Sequence, residues 1–369
     1  MRNKPSETFP KHILFPETFP KFAETLIFWY HYHMKHVTIK DVAKKLNVSI
    51  STVSRAFNDK YDINEETKKL ILKTAKELGY RPNPIARKLS QQRSFNIGIV
   101  VPEFSTNFFP EVMLGAQQIL HEKGYQVLIM QSNYSWEIER KNVETLVDNM
   151  VDGLIVSLTS EIDNNEYYTS LLKSDIPIVF FNRAVDEIKA SKVLFDDYKW
   201  ALFATEHLIV QGYNDIVHLT GTTNLTLTKN RQRGFEDAHK KHKRPVGKII
   251  SCGFKMEDGE RIAQEMIDNN TIPRAIFAAN DSCAIGAMTV FKKHGYQIPN
   301  DIAIVGFTES SLAKHTAPSL TSVEQPTHDI GQTAAKLLLD QINNKGIFVP
   351  QTIILNGRLN IRESSVIIK

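Results

Sequence analysis

Cysteine is almost missing from this 369-residue chain: only Cys252 and Cys283 are present, thirty-one positions apart, in neither a Cys-x-x-Cys pair nor a metal-ligand spacing. That excludes a disulfide framework and a zinc module, and it fits buried or free thiols in a reducing compartment. Long apolar runs are missing too. None approaches the roughly 18 residues of a membrane span. The short run Leu26, Ile27, Phe28, Trp29, Tyr30 lacks the length and the small-residue cleavage pattern of an export signal, so the reading is cytoplasmic, without a membrane partner. There is no Gly-x-Ser-x-Gly elbow, no Walker loop, no Gly-x-Gly-x-x-Gly and no paired metal ligands, so the chain reads as no enzyme and implies no cofactor and no metal. Charge of one sign is scarce overall, at net +4.

Counted by segment, the charge is far from even. Residues 34–93 carry fourteen Lys or Arg against six Asp or Glu, a net +8; residues 1–33 carry +1; the remainder is −5. A basic head on an acidic body indicates that the head alone meets a polyanion. Residues 1–33 repeat ETFPK at Glu7–Lys11 and Glu17–Lys21, are rich in proline and show no helical or strand period, so they read as a disordered extension or a mis-assigned start ahead of Met34. N-terminal mass spectrometry of the native protein decides between these. His31, His33 and His36 look like a metal tract in composition only.

The head, residues 34–80, has a helix-turn-helix pattern. Thr38 and Asp41 fit a capping box, and Ile39, Val42, Ala43 and Leu46 form one apolar face. Asn47 tolerates the left-handed turn, and Ser49 caps a second helix, Ile50 to Phe57. Val53 and Phe57 face inward there. Ser51 and Arg55 lie about 200° away and point outward, where a recognition helix meets the DNA major groove. A third helix, capped by Asn64 and closed by Gly79, buries Leu70, Ile71, Ala75 and Leu78. The segment 81–94 contains Arg81-Pro-Asn-Pro and is too short to hold a helix alone in water, so it reads as a hinge that folds against a partner.

Beyond the hinge, apolar runs alternate with helical stretches: 95–101, 127–130, 152–156, 177–181, 216–219, 275–279 and 302–307, with helices near 109–123, 137–150, 231–241 and 282–294. Alternation of this kind argues parallel sheets covered on both faces. The pattern splits near Asp196 into two lobes, with ligand binding expected at the strand C-termini between them. Asp196 and Asp197 read as a strand end and a turn.

VTIKDVAKKLNVSISTVSRAFN and NEETKKLILKTAKELGYRPNPIARKL, with this body behind them, resemble the LacI/GalR family of bacterial transcription regulators over about residues 36–365. The fold class implied is a small all-α helix-turn-helix head plus a two-lobed α/β body of periplasmic-binding-protein type. The resemblance implies that the body, 95–369, recrosses between lobes: 95–195 with 327–355, and 196–326 with 356–369. It places base reading at Ile50, Ser51 and Arg55, phosphate contacts at Ser49, Thr52, Ser54 and Asn58, and a minor-groove wedge at Leu89. Effector contacts fall at Phe108, Phe109, Asn182, Arg183, Arg231, Phe254, Asn280, Asp281 and Thr308. The plainer alternatives are a core role for Phe254, a helix cap for Asp281 and a surface ion pair for Arg231. Aromatic faces beside Arg, Asn and Asp favour a carbohydrate, with a nucleobase or a phosphorylated sugar as alternatives. The implied partners are a near-palindromic double-stranded operator, a small-molecule effector and a second copy of the chain. No heptad tail follows residue 360, which favours a dimer over a tetramer. The setting implied is the bacterial cytoplasm, at the nucleoid.

Overall fold

The computed structural model describes residues 37–57, 63–80, 93–159, 165–222, 225–344 and 346–366. The histidines 31, 33 and 36, Asn58, the hinge segment to residue 92 and Leu89 lie outside them. The chain divides into two units, residues 1–92 and 93–369.

In the first unit, three helices share one small core: α1 (Ile39–Leu46), α2 (Ile50–Phe57) and α3 (Glu65–Glu77). Thr38 donates its backbone N–H to Asp41 at 2.8 Å, which starts α1, and Asn47 ends it at φ 52°. Val42, Val53 and Ile71 are fully buried at the centre, ringed by Ala43, Ala56 and Ala75. Small side chains there let three short helices approach closely. Leu70, expected in this core, is 53% exposed. Ile71, Thr74, Ala75 and Leu78 define the inward stripe of α3, and Leu70 sits about 100° off its centre.

The second unit contains two six-stranded sheets. The first takes β1 (Asn96–Val101), β2 (Gln126–Gln131), β3 (Gly153–Val156), β4 (Ile178–Phe181), β5 (Ser191–Phe195) and β11 (Thr352–Leu355), ordered β11-β5-β4-β3-β1-β2 and all parallel. The second takes β6 (Ile216–Thr220), β7 (Ile249–Ser251), β8 (Ala275–Ala278), β9 (Ala303–Thr308), β10 (Thr321–Glu324) and β12 (Arg358–Asn360), ordered β12-β10-β9-β8-β6-β7, with only β12 antiparallel. Central strands such as β3, β4, β6 and β8 are buried at every position because helices cover both faces, and their sequences are correspondingly apolar apart from His218 and Thr220 of β6.

Helices α4 (Phe108–Glu122) and α11 (Thr327–Asn343) cover one face of the first sheet, with α5 (Trp136–Asp148) and α6 (Asn165–Lys173) on the other. Helices α7 (Asp197–Val210) and α8 (Thr226–Lys241) cover one face of the second, with α9 (Met256–Asp268) and α10 (Asp281–Lys293) opposite. Asp196 and Asp197 open α7 instead of forming a turn: the Asp196 carboxylate accepts the Lys199 N–H at 3.1 Å, and Asp197 is the first helical residue. No helix among the described residues is long and apolar enough to cross a membrane.

The backbone passes between the sheets three times: at 196, at 325–326 and at 356–357. The crossings touch. A Cβ on Gly357 would lie 2.3 Å from the Glu324 carbonyl oxygen and 2.8 Å from the Phe195 ring, so only glycine fits where the three meet. Asn356 accepts hydrogen bonds from the Trp200 indole at 3.0 Å and from Lys199 Nζ at 3.1 Å, pinning the third crossing to α7.

Candidate functional site

Two sets of residues carry the chemistry, one in each unit. In the first, α2 shows two faces. Val53 and Ala56 are buried against α1 and α3, while Ser49, Ile50, Ser51 and Arg55 are exposed and Thr52 and Ser54 half-buried. Ser49 accepts the Thr52 N–H at 3.0 Å, capping α2. Its hydroxyl also meets those of Ser51 and Thr52, each at 2.7 Å. The N-terminal turn of α2 thus presents clustered hydroxyls one turn ahead of Arg55. Hydroxyls and helix N-termini suit phosphate oxygens, and a guanidinium suits the acceptor pair of guanine.

In the second unit, a cavity of about 50 Å³ lies between the sheets, lined largely by the chain at or just after the ends of seven strands. Glu103 and Thr106 follow β1, Tyr134 follows β2, Asn182 and Arg183 follow β4, Phe254 follows β7, Asn280 follows β8, and Gln325 follows β10. Thr308 ends β9; Phe108 and Phe109 open α4; Leu227 and Arg231 come from the first turns of α8. Convergence of strand C-termini is what brings residues this distant in sequence together. A wider cleft of about 720 Å³ adjoins the cavity and shares Thr106 with it. An apolar cavity that holds benzene has about 150 Å³, so a sugar-sized molecule needs more room than this narrow part, from the adjoining cleft or from a parting of the lobes.

The two cavity arginines are held differently. Arg183 is buried, with its guanidinium carbon 5.8, 5.2 and 5.7 Å from the ring centres of Phe109, Tyr134 and Phe254. The first two rings belong to one lobe and the third to the other, so this cation bridges the lobes through aromatic faces. Phe254 is itself located by Gly221, where a Cβ would fall 2.1 Å from its ring. Arg231 instead engages Asp197, with Nε and Nη2 each 2.8 Å from Oδ1, while Nη1 donates to the Ala279 carbonyl and the guanidinium lies 3.9 Å over the Phe307 ring. Its partner is a buried carboxylate and not a surface one. Burial pushes the Asp197 carboxyl up and Arg231 opposes that rise.

Eight of the nine residues assigned to the cleft from sequence border this cavity; Asp281 does not. The side chain of Asp281 turns inward, accepting hydrogen bonds from the Ser322 hydroxyl and the Ser310 N–H, and so ties the loop after β9 to β10. The N-cap of α10 is Asn280, whose Oδ1 accepts the Cys283 N–H at 2.9 Å. Burial raises Asp281 to about 7, against the lowering effect of those hydrogen bonds. Raised above its unfolded value of about 3.9, this carboxyl contributes stability that is present at acid pH and is lost as pH climbs through about 7. Asp281→Asn can keep the Ser310 N–H on its one amide oxygen, with the amide nitrogen donating to the Ser322 hydroxyl in place of accepting from it. It should flatten the pH dependence of stability between about pH 4 and 7, by an amount on the order of a few kcal/mol. Chemical denaturation of both proteins across that range measures it, and parallel curves would show that this carboxyl ionises as in water.

Sequence reasoning missed Glu103, Thr106, Tyr134, Leu227 and Gln325. The Glu103 carboxylate accepts the N–H groups and hydroxyls of Ser105 and Thr106, shaping the loop into α4. Gln325 is buried, and its Nε2 has no hydrogen-bond partner among the described residues. The usable signal was position: each lies within a few residues of a strand end or a helix start.

Comparison with known proteins finds matches for both units. Residues 38–83 match the family model "Bacterial regulatory proteins, lacI family", and residues 205–365 match "Periplasmic binding protein-like domain". The ribose operon repressor of Halalkalibacterium halodurans is 34% identical over 308 residues, covering 84% of this chain and 91% of that protein. Among solved structures, a LacI-family regulator from Enterococcus faecium with bound ribose superposes with a TM-score of 0.67 at 26% identity, over 74% of this chain and all of that one. The lac repressor dimer bound to operator and the anti-inducer ONPF shares the fold at a TM-score of 0.81 and 22% identity, over 90% of this chain and all of that one. The chain belongs to the LacI family of bacterial regulatory proteins: it is a DNA-binding transcriptional regulator, not an enzyme, with an effector-binding body of the periplasmic-binding-protein type.

Proposed function

We propose that this regulator is a repressor acting as a homodimer on a near-palindromic operator, and that a sugar or sugar derivative held between its lobes changes its affinity for that operator. Residues 34–80 read the DNA, 81–94 form the hinge and 95–369 form the sensor. Ile50, Ser51 and Arg55 meet base edges, Ser49, Thr52, Ser54 and Asn58 meet phosphates, and Leu89 wedges into the minor groove. The observation that carries the ligand class is the cavity lining. Aromatic faces at Phe108, Phe109, Tyr134 and Phe254 flank Arg183 and Arg231, with the amides of Asn182, Asn280 and Gln325 alongside. Flat apolar faces suit the C–H surface of a sugar ring, and amides with guanidinium groups suit its hydroxyls. The ribose-related relatives support the same class.

Coupling follows from geometry. A ligand gripped from both lobes favours one lobe spacing, and that spacing biases how the paired hinges order on DNA. Couplings of this kind are of order 1–3 kcal/mol and are reciprocal between the two sites. Thermal shift of the full-length protein against D-ribose, other sugars, sugar phosphates and nucleobases tests the class. A saturable rise with a sugar supports it; a rise with nucleobases alone overturns the class, and no rise with any overturns the cavity assignment. Gln325→Met, similar in volume, should weaken the sugar by roughly two- to twelve-fold, since one buried hydrogen bond to ligand is worth about 0.5–1.5 kcal/mol. It should leave the melting point of the ligand-free protein unchanged or higher. Unchanged affinity by calorimetry would remove Gln325 from the contact set.

A further inference from the structure

We propose that Cys252 and Cys283 are a dithiol–disulfide pair, oxidised by hydrogen peroxide or by a small disulfide such as oxidised glutathione, whose closure ties the loop carrying Phe254 to the helix carrying Asn280. They are the only cysteines in the chain and stand on different elements, one just after β7 and the other in the first turn of α10. Their sulfurs lie 3.0 Å apart as free thiols. A disulfide bond is about 2.05 Å long, so closure asks for a movement of about 1 Å.

The surroundings link this pair to the cavity. Cys252 donates its N–H to the Thr220 carbonyl at 2.8 Å, anchoring the loop to the end of β6. Two residues later comes Phe254, whose carbonyl accepts Asn280 Nδ2 at 2.8 Å, while Asn280 Oδ1 accepts the Cys283 N–H at 2.9 Å. The Asn280 side chain thus already joins the two segments by hydrogen bonds, and the sulfurs sit where a covalent bond would duplicate that joint. Both Phe254 and Asn280 line the cavity. The chemistry does not depend on which small molecule the cavity takes.

The two thiols are unequal. Cys252 is 8% exposed and Cys283 is fully buried. Its hydrogen bond with Cys252, and burial, hold the Cys283 thiol well above the usual range. Cys252 is therefore the sulfur that meets the oxidant, and Cys283 the one that resolves the adduct. With peroxide, the Cys252 thiolate attacks one oxygen, the O–O bond breaks, and sulfenic acid forms as the other oxygen leaves as water. The Cys283 sulfur then attacks the sulfenic sulfur, the S–S bond forms, and a second water leaves carrying the Cys283 proton. Two thiols and one peroxide give one disulfide and two waters. With oxidised glutathione, two successive exchanges release two glutathione thiols.

Intact-mass analysis of the full-length protein, reduced and then treated with hydrogen peroxide or oxidised glutathione, tests this. The expected result is a loss of two hydrogens, simultaneous disappearance of both thiols to maleimide labelling, and full recovery on adding dithiothreitol. Oxygen adducts, a lasting glutathione adduct on Cys252, disulfide-linked dimers or two thiols that still label would each overturn the proposal. Cys252→Ser should leave Cys283 unoxidised under the same treatment, and the wild-type mass decides the matter even if that variant folds poorly. Hydrogen exchange over residues 252–258 should slow at least several-fold on oxidation; exchange at the same rate would overturn the tie to the cavity loop.

Discussion

Arg231→Ala is expected to cost about 3–5 kcal/mol of stability in the body, a drop of roughly 6–20 °C in its melting transition. The side chain makes two contacts to one oxygen of Asp197, each 2.8 Å, donates to the Ala279 carbonyl and covers the Phe307 ring. Both partners are about 5% exposed. Alanine would leave the Asp197 carboxyl in the same dry place with its counter-charge gone, and that uncompensated group is the main source of the loss. The sign with pH follows. Burial already raises Asp197 and Arg231 restrains the rise. Without the arginine the carboxyl goes higher still, so the deficit should be larger at pH 8 than at pH 5. Adding Asp197→Asn to Arg231→Ala should recover a large part of it. Differential scanning calorimetry at the two pH values measures both effects, and a midpoint within about 1 °C of wild type would mean that the ion pair contributes nothing net. The result bears on function as well. Loss of ligand response in this variant would report a damaged body as readily as a lost contact, whereas Gln325→Met is expected to keep the fold and so to test the proposed contact alone.

The second large effect belongs to the head. Arg55→Ala should weaken the cognate operator by about 1–3 kcal/mol, roughly 5- to 150-fold, and leave random-sequence DNA almost untouched. Arg55 is exposed at the outer face of α2, while Val53 and Ala56 carry the packing on the inner face, so removing the guanidinium leaves the core intact. Fluorescence anisotropy against the cognate site and a scrambled duplex at fixed salt gives the two affinities. Equal losses on both, with a shallower salt dependence, would make Arg55 a phosphate contact.

The architecture was largely legible in the sequence, for identifiable reasons. Strands β1, β3, β4, β6 and β8 are covered on both faces and so are apolar but for Asn96, His218 and Thr220, which sets them apart from the amphipathic helices between them. The head was legible through its caps: Thr38 with Asp41, Ser49, Asn64 and the left-handed Asn47 each do locally what their side chains allow. Helix α7 was not legible, because Trp200, Ala201, Ala204, Leu208 and Ile209 are buried on one side while Leu202 and Phe203 add apolar residues on the others, and no helical period emerges. Missing α7 turned Asp197 into a turn residue and hid the buried partner of Arg231. Asp281 failed for another reason. A polar residue at a strand end can face the cleft or the sheet, and the hydroxyl of Ser322, forty-one positions away, decides in favour of the sheet. Gln325 stayed hidden because β10 is only four residues long and mixes polar with apolar side chains.

The three backbone crossings that meet at Gly357 bear on how the lobes can move. A single tether would let two bodies twist, slide and swing about one another. Three short spans in contact at one place restrict how far the lobes can twist or slide against one another. Any side chain at residue 357 would press on the Glu324 carbonyl and the Phe195 ring, so even alanine there should disturb the junction that all three spans share.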